Sequence, residues 1–351
     1  MTHRLPSPGA ALVGVDVGGT KVAVLVVSPD GRAIGKAVAP SSTAGGDALI
    51  AVIESTVLSA LEMAQLPLRD VAMLGVGIPG RVDPGSGHVE LALNLNLSGF
   101  ALSERLEDRL GRPSVIENDV RAAAFGLHAR GITTPATDLA YLAVGTGIAA
   151  GLVLDGHLYR GARGLAGEIG HVIIAPGGER CGCGQRGCLE AEASGLAIGR
   201  RAEAGVLDGQ KTSLRELAGS SISARDVYEA AAQGDPLGLA IAEHVGRRLA
   251  SAVHLLLMTC DVERVFIGGG VSHAGEAFAR PLRSAFETLR SVSRTARELL
   301  RPDVIEILPV DAEPGVWGAV AIAAEALKRL RAEGAPEIES DSGSGLPAPS
   351  Q

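Results

Sequence analysis

Apolar positions in this chain fall into short continuous runs next to glycines and into longer stretches at helical spacing. Residues 11–39 hold three apolar runs separated by the turns GGT and PDG, which predict an antiparallel meander of three strands. Residues 47–65 predict an amphipathic helix, whose apolar stripe comprises Leu49, Ile50, Ile53, Val57, Leu58 and Leu61. The pattern next predicts a buried strand at 71–79, a helix at 102–110, a strand at 113–117 and a helix at 119–131, closed by Gly131.

Residues 139–160 repeat the arrangement of the first three strands. An apolar strand, a Gly-rich turn, a second apolar strand, an Asp-Gly hairpin and a third strand follow one another. This weak internal repeat predicts two related α/β halves with a cleft between them. The rest of the pattern predicts helices at 191–206, 223–233, 236–258, 275–299 and 314–333, with strands at 262–271 and 304–310. Residues 334–351 are rich in Pro, Ser and Gly, so we expect a disordered tail there.

The composition favours a soluble cytoplasmic protein. Of the 351 residues, 46% are apolar and only 3% aromatic, so the core is expected to consist of Ala, Val, Leu and Ile. The net charge of −8 and the lack of a Lys/Arg run argue against a nucleic-acid partner. No apolar stretch reaches the roughly 18 residues of a membrane span. Residues 1–10 lack the apolar segment of a secretory signal, so we expect no membrane partner either.

Three of the four cysteines lie close together in a Gly-rich segment with one histidine upstream. His171, Cys181, Cys183 and Cys188 are spaced H-x9-C-x-C-x4-C, and three thiolates with one imidazole complete the four-ligand shell of a structural zinc. A disulfide is the alternative, but neighbours in C-x-C rarely reach the geometry of a bridge. His171 alone could be a core histidine, and the roles of its two ring nitrogens stay open. The remaining Cys260 lies in the apolar run LLLMTC and is expected to be a small buried side chain.

Glycine-rich turns follow apolar strands at three places. The first turn comprises Asp16, Val17, Gly18, Gly19, Thr20 and Lys21, where glycines let backbone N–H groups approach phosphate oxygens and Thr and Lys add donors and charge. No helix is predicted to follow it, so it is not a Walker loop, and an ordinary hairpin turn is the alternative. The matching turn of the second half, at Gly145, Thr146 and Gly147, favours a pair of phosphate loops facing one cleft. A third turn, at Gly268, Gly269 and Gly270, is expected to approach a nucleoside or to be only a strand–helix turn.

A carboxylate near the end of a strand is the candidate catalytic base. Glu117, Asn118 and Asp119 lie between an apolar strand and an Ala-rich helix. In one interpretation Asp119 caps this helix. In the other, Asp119 lines the cleft and deprotonates a hydroxyl that attacks a phosphoryl group.

Together these motifs resemble the ROK family (repressors, open reading frames and sugar kinases), especially its bacterial glucokinase type. The match extends from about residue 11 to about residue 330. It is carried by DVGGTK at 16–21, GIPG at 77–80, ALNL at 92–95, END at 117–119, GTG at 145–147, GEIGH at 167–171, CGCGQRGCLE at 181–190 and IGGGV at 267–271. The glycine motifs alone are shared with the wider actin-like superfamily, whereas GEIGH with the cysteines is specific.

The resemblance implies an α/β, two-domain actin-like fold whose interdomain cleft closes on a hexose and MgATP, in a homodimer. The domains would be 11–118 with 312–333, and 119–311, after an N-terminal extension at 1–10. Asp119 would activate the sugar 6-hydroxyl, and Asp16 would lie near Mg²⁺. The side chains that would bind sugar hydroxyls are Asn94, Asn118, Glu168, His171 and Glu190. The phosphates of ATP would be held by Gly18, Thr20, Lys21 and Thr146.

The implied activity is phosphorylation of a hexose by ATP, with glucose as the favoured sugar. N-acetylmannosamine, N-acetylglucosamine, fructose and allose are alternative substrates. A sugar-responsive repressor or a non-catalytic sugar sensor is less favoured. A repressor of this family carries an N-terminal winged-helix segment, and the DVGGT motif here already begins at Asp16.

Four positions depart from the usual pattern of the family. Ala149 and Ala150 stand where the second phosphate loop usually continues with glycines, so their methyl groups are expected to crowd the nucleotide. Leu93 and Leu97 replace a frequent proline and tryptophan on either side of Asn94. These changes near the sugar pocket are expected to affect the choice of hexose.

Overall fold

The first half of the chain builds a five-stranded sheet. A computed structural model describes residues 10–130, 136–217 and 219–333, so Gly131 and the predicted tail lie outside the described residues. The chain begins with strands β1 (Ala11–Val17), β2 (Lys21–Val27) and β3 (Ala33–Pro40), followed by helix α1 (Gly46–Met63) and strand β4 (Val71–Ile78). The antiparallel meander of the first three strands is confirmed. The buried stripe of α1 is as predicted except at Leu58, which is exposed because the stripe passes through Thr56 and Ala60 instead.

A small three-stranded sheet, which the sequence pattern did not predict, follows β4. Its strands are β5 (Arg81–Asp83), β6 (His88–Ala92) and β7 (Leu97–Phe100), and it is followed by α2 (Leu102–Leu110), β8 (Ser114–Asn118) and α3 (Asp119–Arg130). In the turn after β5, the Asp83 carboxylate accepts hydrogen bonds from Gly85 N at 3.0 Å and Ser86 Oγ at 2.6 Å. These strands are too short and too polar to produce a clear alternation.

The second half builds another five-stranded sheet and most of the helices. Its first elements are β9 (Leu139–Val144), β10 (Ile148–Leu154), β11 (His157–Tyr159), α4 (Leu189–Ala193), α5 (Gly195–Leu207), α6 (Ala224–Ala232) and α7 (Pro236–Cys260). The remaining elements are β12 (Arg264–Gly268), α8 (Glu276–Val292), α9 (Arg294–Leu299), β13 (Ile305–Ile307) and α10 (Pro314–Glu333). Within the described chain, no helix combines the length and the low polarity needed to cross a membrane.

The two large sheets share one topology. The first has the strand order β3-β2-β1-β4-β8 and the second β11-β10-β9-β12-β13. In each, an antiparallel meander supplies three strands and two more strands continue parallel to the first of them. The predicted internal repeat is therefore confirmed, and the Gly-rich turns after β1 and β9 occupy equivalent places.

Two predicted helices are each broken by a serine. Ser194 has extended backbone between α4 and α5, and its hydroxyl accepts a hydrogen bond from Ala197 N at 3.3 Å. Ser293 separates α8 from α9 in the same way, accepting from Ala296 N at 3.1 Å. Apolar spacing continues across both breaks, so periodicity alone could not locate these N-caps.

Helices α3 and α10 form the layer between the two large sheets. α10 packs on α3 and on strands β1 and β4, while α3 packs on β9 and β10. Glycines permit this close approach: a Cβ on Gly14 of β1 would lie 2.5 Å from Val316 O, and one on Gly318 of α10 would overlap Ala122 O of α3. Because α3 contacts both α10 and the second sheet, it couples the two halves. The division into the domains 11–118 with 312–333, and 119–311, stays a prediction.

Gly318→Ala is expected to destabilise the protein. The added methyl group meets the backbone carbonyl of Ala122, which cannot rotate away, so we expect a loss of about 1–3 kcal/mol of unfolding free energy. Urea denaturation measures this loss. Ser59→Ala on the exposed face of α1 serves as the control and should leave the midpoint unchanged. Equal midpoints for all three proteins would contradict the close helix contact.

Candidate active site

The predicted metal ligands lie together. His171, Cys181, Cys183 and Cys188 each offer one ligand atom, and these atoms all lie within 4.8 Å of one another. His171 Nδ1 lies 3.6 Å from Cys181 Sγ, and Cys183 Sγ lies 3.6 Å from Cys188 Sγ. Tetrahedral zinc with bonds of about 2.3 Å would hold two sulfurs about 3.8 Å apart, so this donor set fits zinc. The thiol separation is far longer than the roughly 2.05 Å of a disulfide, and all four cysteines are free.

The orientation of His171 separates its two ring nitrogens. Nδ1 faces the thiols, so Nε2 is left for another partner, and the residue is exposed. Cys260 is not part of this cluster: it ends α7 and packs half-buried against the apolar core of the second half. Its predicted role as a core side chain is therefore confirmed in part. We refer to residues 171–188 as the metal loop.

A buried carboxylate that sequence reasoning missed anchors the metal loop. Glu192 of α4 is 3% exposed, and its Oε1 accepts a hydrogen bond from Glu179 N at 2.9 Å. Its Oε2 pairs with Arg201 Nη2 at 3.2 Å and with His244 Nε2 at 3.0 Å. A Cβ on Gly178 would overlap Glu192 Oε1 and would lie 2.9 Å from Ala175 O, so glycine lets the loop approach this carboxylate closely. Only tertiary packing reveals this role, because nothing in the spacing distinguishes Glu192 from an exposed helical glutamate.

Glu190 connects the metal loop to the second glycine turn. Its Oε2 accepts a hydrogen bond from Ile148 N at 3.0 Å, and a Cβ on Gly147 would lie 2.5 Å from the same oxygen. The other end of this turn is held by Gly195 N, which donates to Gly145 O at 2.8 Å. A predicted sugar ligand and a predicted phosphate loop therefore lie in direct contact.

Ala149 and Ala150 lie in β10 and not in the glycine turn. Ala150 is 2% exposed and packs in the apolar core of the second half, and its N–H donates to Gly167 O at 2.7 Å, next to Glu168. The prediction that both methyl groups crowd the nucleotide is wrong for Ala150, because side chains alternate along a strand and this one points into the core.

The first glycine turn is tight, and Asn94 lies beside it. Gly18 N donates to Lys21 O at 2.8 Å, which closes the turn between β1 and β2. Thr20 and Lys21 are exposed there. A Cβ on Gly19 would lie 3.6 Å from Asn94 Nδ2, so Asn94 belongs to the same neighbourhood.

Asp16 ends next to the first turn of α10. A Cβ on Gly315 would overlap the Asp16 carboxylate, so glycine is needed where this helix begins. Burial, and then the negative charge of Asp119, raises the pKa of Asp16 to about 7, while Lys21 opposes the shift.

Glu313, which sequence reasoning missed, adds to the same rise in the pKa of Asp16. It has left-handed backbone with φ of 46° and pairs with Lys36 Nζ at 2.6 Å.

Asp119 is the first residue of α3, but the cap of this helix is Asn118. Asn118 Oδ1 accepts a hydrogen bond from Arg121 N at 3.0 Å, whereas the Asp119 carboxylate accepts from Val120 N at 2.9 Å and from its own backbone N–H. Burial raises the pKa of Asp119 to about 6, against these backbone hydrogen bonds and the charge of Arg121, and Glu168 adds to the rise. Asp119 is therefore close to Asp16 and Glu168, and it is ionised above about pH 6.

The third glycine turn lies beside the second. A Cβ on Gly269, which has φ of 95°, would lie 2.5 Å from Val144 O, and Gly268 lies against the ring of Tyr141. Gly145, Thr146 and Gly270 line one cleft of about 1140 Å³. This volume is ample for a nucleoside.

Comparison with known proteins identifies the family. The model of the ROK family matches residues 12–326. The chain belongs to the ROK family. Its α/β architecture is the actin-like fold of the sugar kinases in this family.

Similar chains include both kinases and regulators. The glucokinase of Thermotoga maritima is 33% identical over 322 residues, which are 91% of this chain and 98% of the relative. The ROK hexokinase of Thermus thermophilus has a TM-score of 0.74 at 30% identity and covers 91% of this chain and 99% of its own. A Streptomyces griseus glucokinase, solved with glucose and AMPPNP, has a TM-score of 0.73 at 30% identity, covering 90% of this chain and 99% of its own. An Escherichia coli transcriptional regulator is 28% identical over 65% of this chain and 55% of its own length.

Cys183→Ser is expected to lower the zinc content and the thermal stability together, because it removes one of four ligands from a closed shell. Atomic absorption of the purified protein measures the metal, and thermal unfolding measures the stability. Cys260→Ser is the matched control, since Cys260 is not among the clustered ligands. A Cys183→Ser protein with the metal content of the wild type would contradict the site.

Proposed function

We propose that this chain is an ATP-dependent hexokinase that transfers the γ-phosphoryl group of ATP to the 6-hydroxyl of glucose. The observation that carries the proposal is the half-buried carboxylate of Asp119, beside Asp16 and Glu168 and at the N-terminus of α3. The similarity to glucokinases over most of the chain supports the same reaction.

Asp119 would act as the general base. As the sugar 6-oxygen attacks the γ-phosphorus, the hydroxyl proton passes to Asp119, the new O–P bond forms, and the bond from the γ-phosphorus to the β–γ bridging oxygen breaks. ADP leaves with that oxygen. Little covalent chemistry is left to the protein, so positioning and charge stabilisation supply most of the rate enhancement.

The sugar would lie between the two halves of the chain. Asn118 extends from the same corner as Asp119, and Glu168 and Glu190 come from the segments on either side of the metal loop. His171 would use Nε2 for a sugar hydroxyl while Nδ1 faces the metal. Zinc held by His171 and the three cysteines would fix the shape of this wall and would take no part in the transfer. Asn94 would complete the site from the first half, next to Gly19.

The nucleotide would lie across the two glycine turns. Gly18, Gly19, Thr20 and Lys21 would hold phosphates from one side, and Gly145, Thr146 and Gly147 from the other. Gly268, Gly269 and Gly270 would approach the nucleoside in the adjoining cleft. A half-buried carboxylate with two acidic neighbours suits a hard divalent cation, so Asp16 would hold Mg²⁺, which neutralises phosphate charge when bound.

The assay described below also distinguishes alternative substrates and non-catalytic functions. N-acetylmannosamine, N-acetylglucosamine, fructose and allose compete with glucose. A sugar-responsive regulator or a sensor would bind sugar without turnover. The homodimer and the cytoplasmic location stay predictions from the sequence.

A coupled ADP-release assay with MgATP across these sugars and mannose tests the function. We expect turnover, highest with glucose, and loss of turnover by at least about 100-fold in Asp119→Asn, which keeps the shape of the side chain but cannot accept the proton. Burial opposes ionisation of this carboxylate, so the variant should melt at the wild-type temperature or above it. If Asp119→Asn turns over as fast as the wild type, the assignment of Asp119 as the general base is contradicted. If the folded, zinc-loaded wild-type protein turns over none of these sugars, the proposed kinase activity is contradicted.

The pH dependence of kcat/KM for glucose is expected to follow Asp119. The base must be ionised, so activity is present above the pKa of about 6 and decreases tenfold per unit as the pH falls below it. At saturating MgATP, Mg²⁺ held by Asp16 would keep that carboxylate ionised, so titration of Asp16 would not contribute to the profile. A flat profile between about pH 5 and 8 would contradict the assignment.

A further inference from the structure

A fully buried carboxylate lies two residues before Asp119. Glu117, in β8, is 1% exposed. Its Oε1 accepts a hydrogen bond from Arg121 Nε at 2.8 Å, and its Oε2 accepts one from Arg160 Nε at 2.6 Å. Two guanidinium groups thus share one carboxylate in the interior, where an ion without partners would be costly.

Arg121 also crosses to the segment that carries Glu168. We call residues 160–168 the Glu168 loop. The Nη1 of Arg121 donates to Gly164 O, in the middle of this loop, at 2.6 Å. Arg160 is the first residue of the same loop, directly after β11, so the loop is tied to Glu117 at its start and at its middle. The side chain of Arg121 is nearly inaccessible, at 4% exposed, so water cannot take over its bonds.

The far end of the Glu168 loop is fixed independently. Gly167 O accepts a hydrogen bond from Ala150 N of β10 at 2.7 Å. The far end of the loop is therefore held by the second sheet, while its start and middle are held by the junction of β8 and α3, which carries Asn118 and Asp119. The distance between Glu168 and Asp119 depends on both attachments.

We propose that Glu117, Arg121 and Arg160 are positioning residues for phosphoryl transfer, because together they hold the Glu168 loop in place relative to Asp119. The proposal rests on the proposed function, in which Glu168 binds the sugar whose hydroxyl Asp119 deprotonates. Arg121 carries most of this role, because its side chain bonds to Glu117 and to Gly164 in the middle of the loop, whereas Arg160 joins the start of the loop to Glu117. Its fork geometry matters as well as its charge, because Glu117 and Gly164 occupy different donor nitrogens.

The variant Arg121→Lys distinguishes the effect of the hydrogen bonds to Glu117 and Gly164 from the effect of the positive charge. Lysine keeps a cation beside Glu117 but presents a single ammonium group in place of the fork. We expect kcat/KM for glucose to fall by roughly 100-fold, the cost of about 1 Å of misplacement, while KM for MgATP stays nearly constant. Arg160→Lys is expected to show a smaller loss, because the Arg160 side chain is about one-third exposed and pairs with Glu117 through one nitrogen, Nε.

Two controls remove the effects of charge and of stability. Arg109→Gln removes an exposed guanidinium from a surface ion pair on α2 and should leave the kinetics unchanged. Val57→Ala truncates a fully buried core side chain of α1 and lowers the melting temperature without touching the cleft. The loss of kcat/KM in Arg121→Lys is compared with the loss in Val57→Ala when both variants have the same decrease in melting temperature. If the loss in Arg121→Lys is no larger, the positioning role is overturned.

Hydrogen exchange gives a readout that does not depend on activity. Amides of residues 160–168 should exchange faster in Arg121→Lys than in the wild type, while peptides of β1 and β4 stay unchanged. Unchanged exchange in the Glu168 loop overturns the proposal even if kcat/KM falls. If the wild-type protein phosphorylates no sugar, the proposed function is contradicted but the positioning role is not, because hydrogen exchange still tests whether Arg121 holds the Glu168 loop in place.

Discussion

The contact between α3 and α10 is the constraint on which the rest of the structure depends. Gly126 of α3 lies against the backbone of Gly318 of α10, so these helices approach as closely as backbones allow. Both helices begin at the cleft: α3 starts with Asp119, and the first turn of α10 lies against Asp16. The crossing of the two helices therefore sets the relative position of the two carboxylates. A larger side chain at the crossing would separate them.

The electrostatics of the cleft follow from this packing. Each carboxylate lies at a helix N-terminus, where the macrodipole favours the ionised form, yet burial outweighs this effect and raises the pKa of Asp16 to about 7 and that of Asp119 to about 6. The charge of Asp119 adds to the rise at Asp16, and the charge of Glu168 adds to the rise at Asp119, so each carboxylate has an acidic neighbour in the cleft. Lys21 is the cation that opposes the rise at Asp16.

The metal loop lies beside the second glycine turn, to which Glu190 connects it. Glu190 and Glu192 come from one turn of α4 and contact different partners. Glu190 contacts the second glycine turn, and Glu192 contacts the middle of the metal loop and Arg201 of α5. Four ligands that lie within 4.8 Å of one another close this loop on itself. The Glu168 loop, which precedes the metal loop in the chain, is held at its start by Arg160, at its middle by Arg121 and at its far end by Ala150.

Local patterns predicted much of this molecule. The two meanders, the helices and the four metal ligands could be found because strand alternation, helical spacing and clustered cysteines are visible within a few residues of each other. The serine breaks at Ser194 and Ser293 and the small sheet after β4 were missed, because apolar spacing does not change at an N-cap and very short strands leave little signal. The family pattern, in which glycines usually stand at this point of the second phosphate loop, predicts that Ala150 crowds the nucleotide, but its side chain alternates into the core.

The sequence by itself determined the family, the α/β class and the chemical types gathered for the site: carboxylates, glycine turns and a Cys/His ligand set. Only the tertiary structure decided which of these groups contact each other. It assigned the cap of α3 to Asn118, directed Nδ1 of His171 toward the thiols, and revealed Glu117, Glu192 and Glu313 as buried or paired carboxylates. The physical reason is that a carboxylate finds its ion-pair partners among groups that lie far away in the chain, such as Lys36 for Glu313 and Arg160 for Glu117.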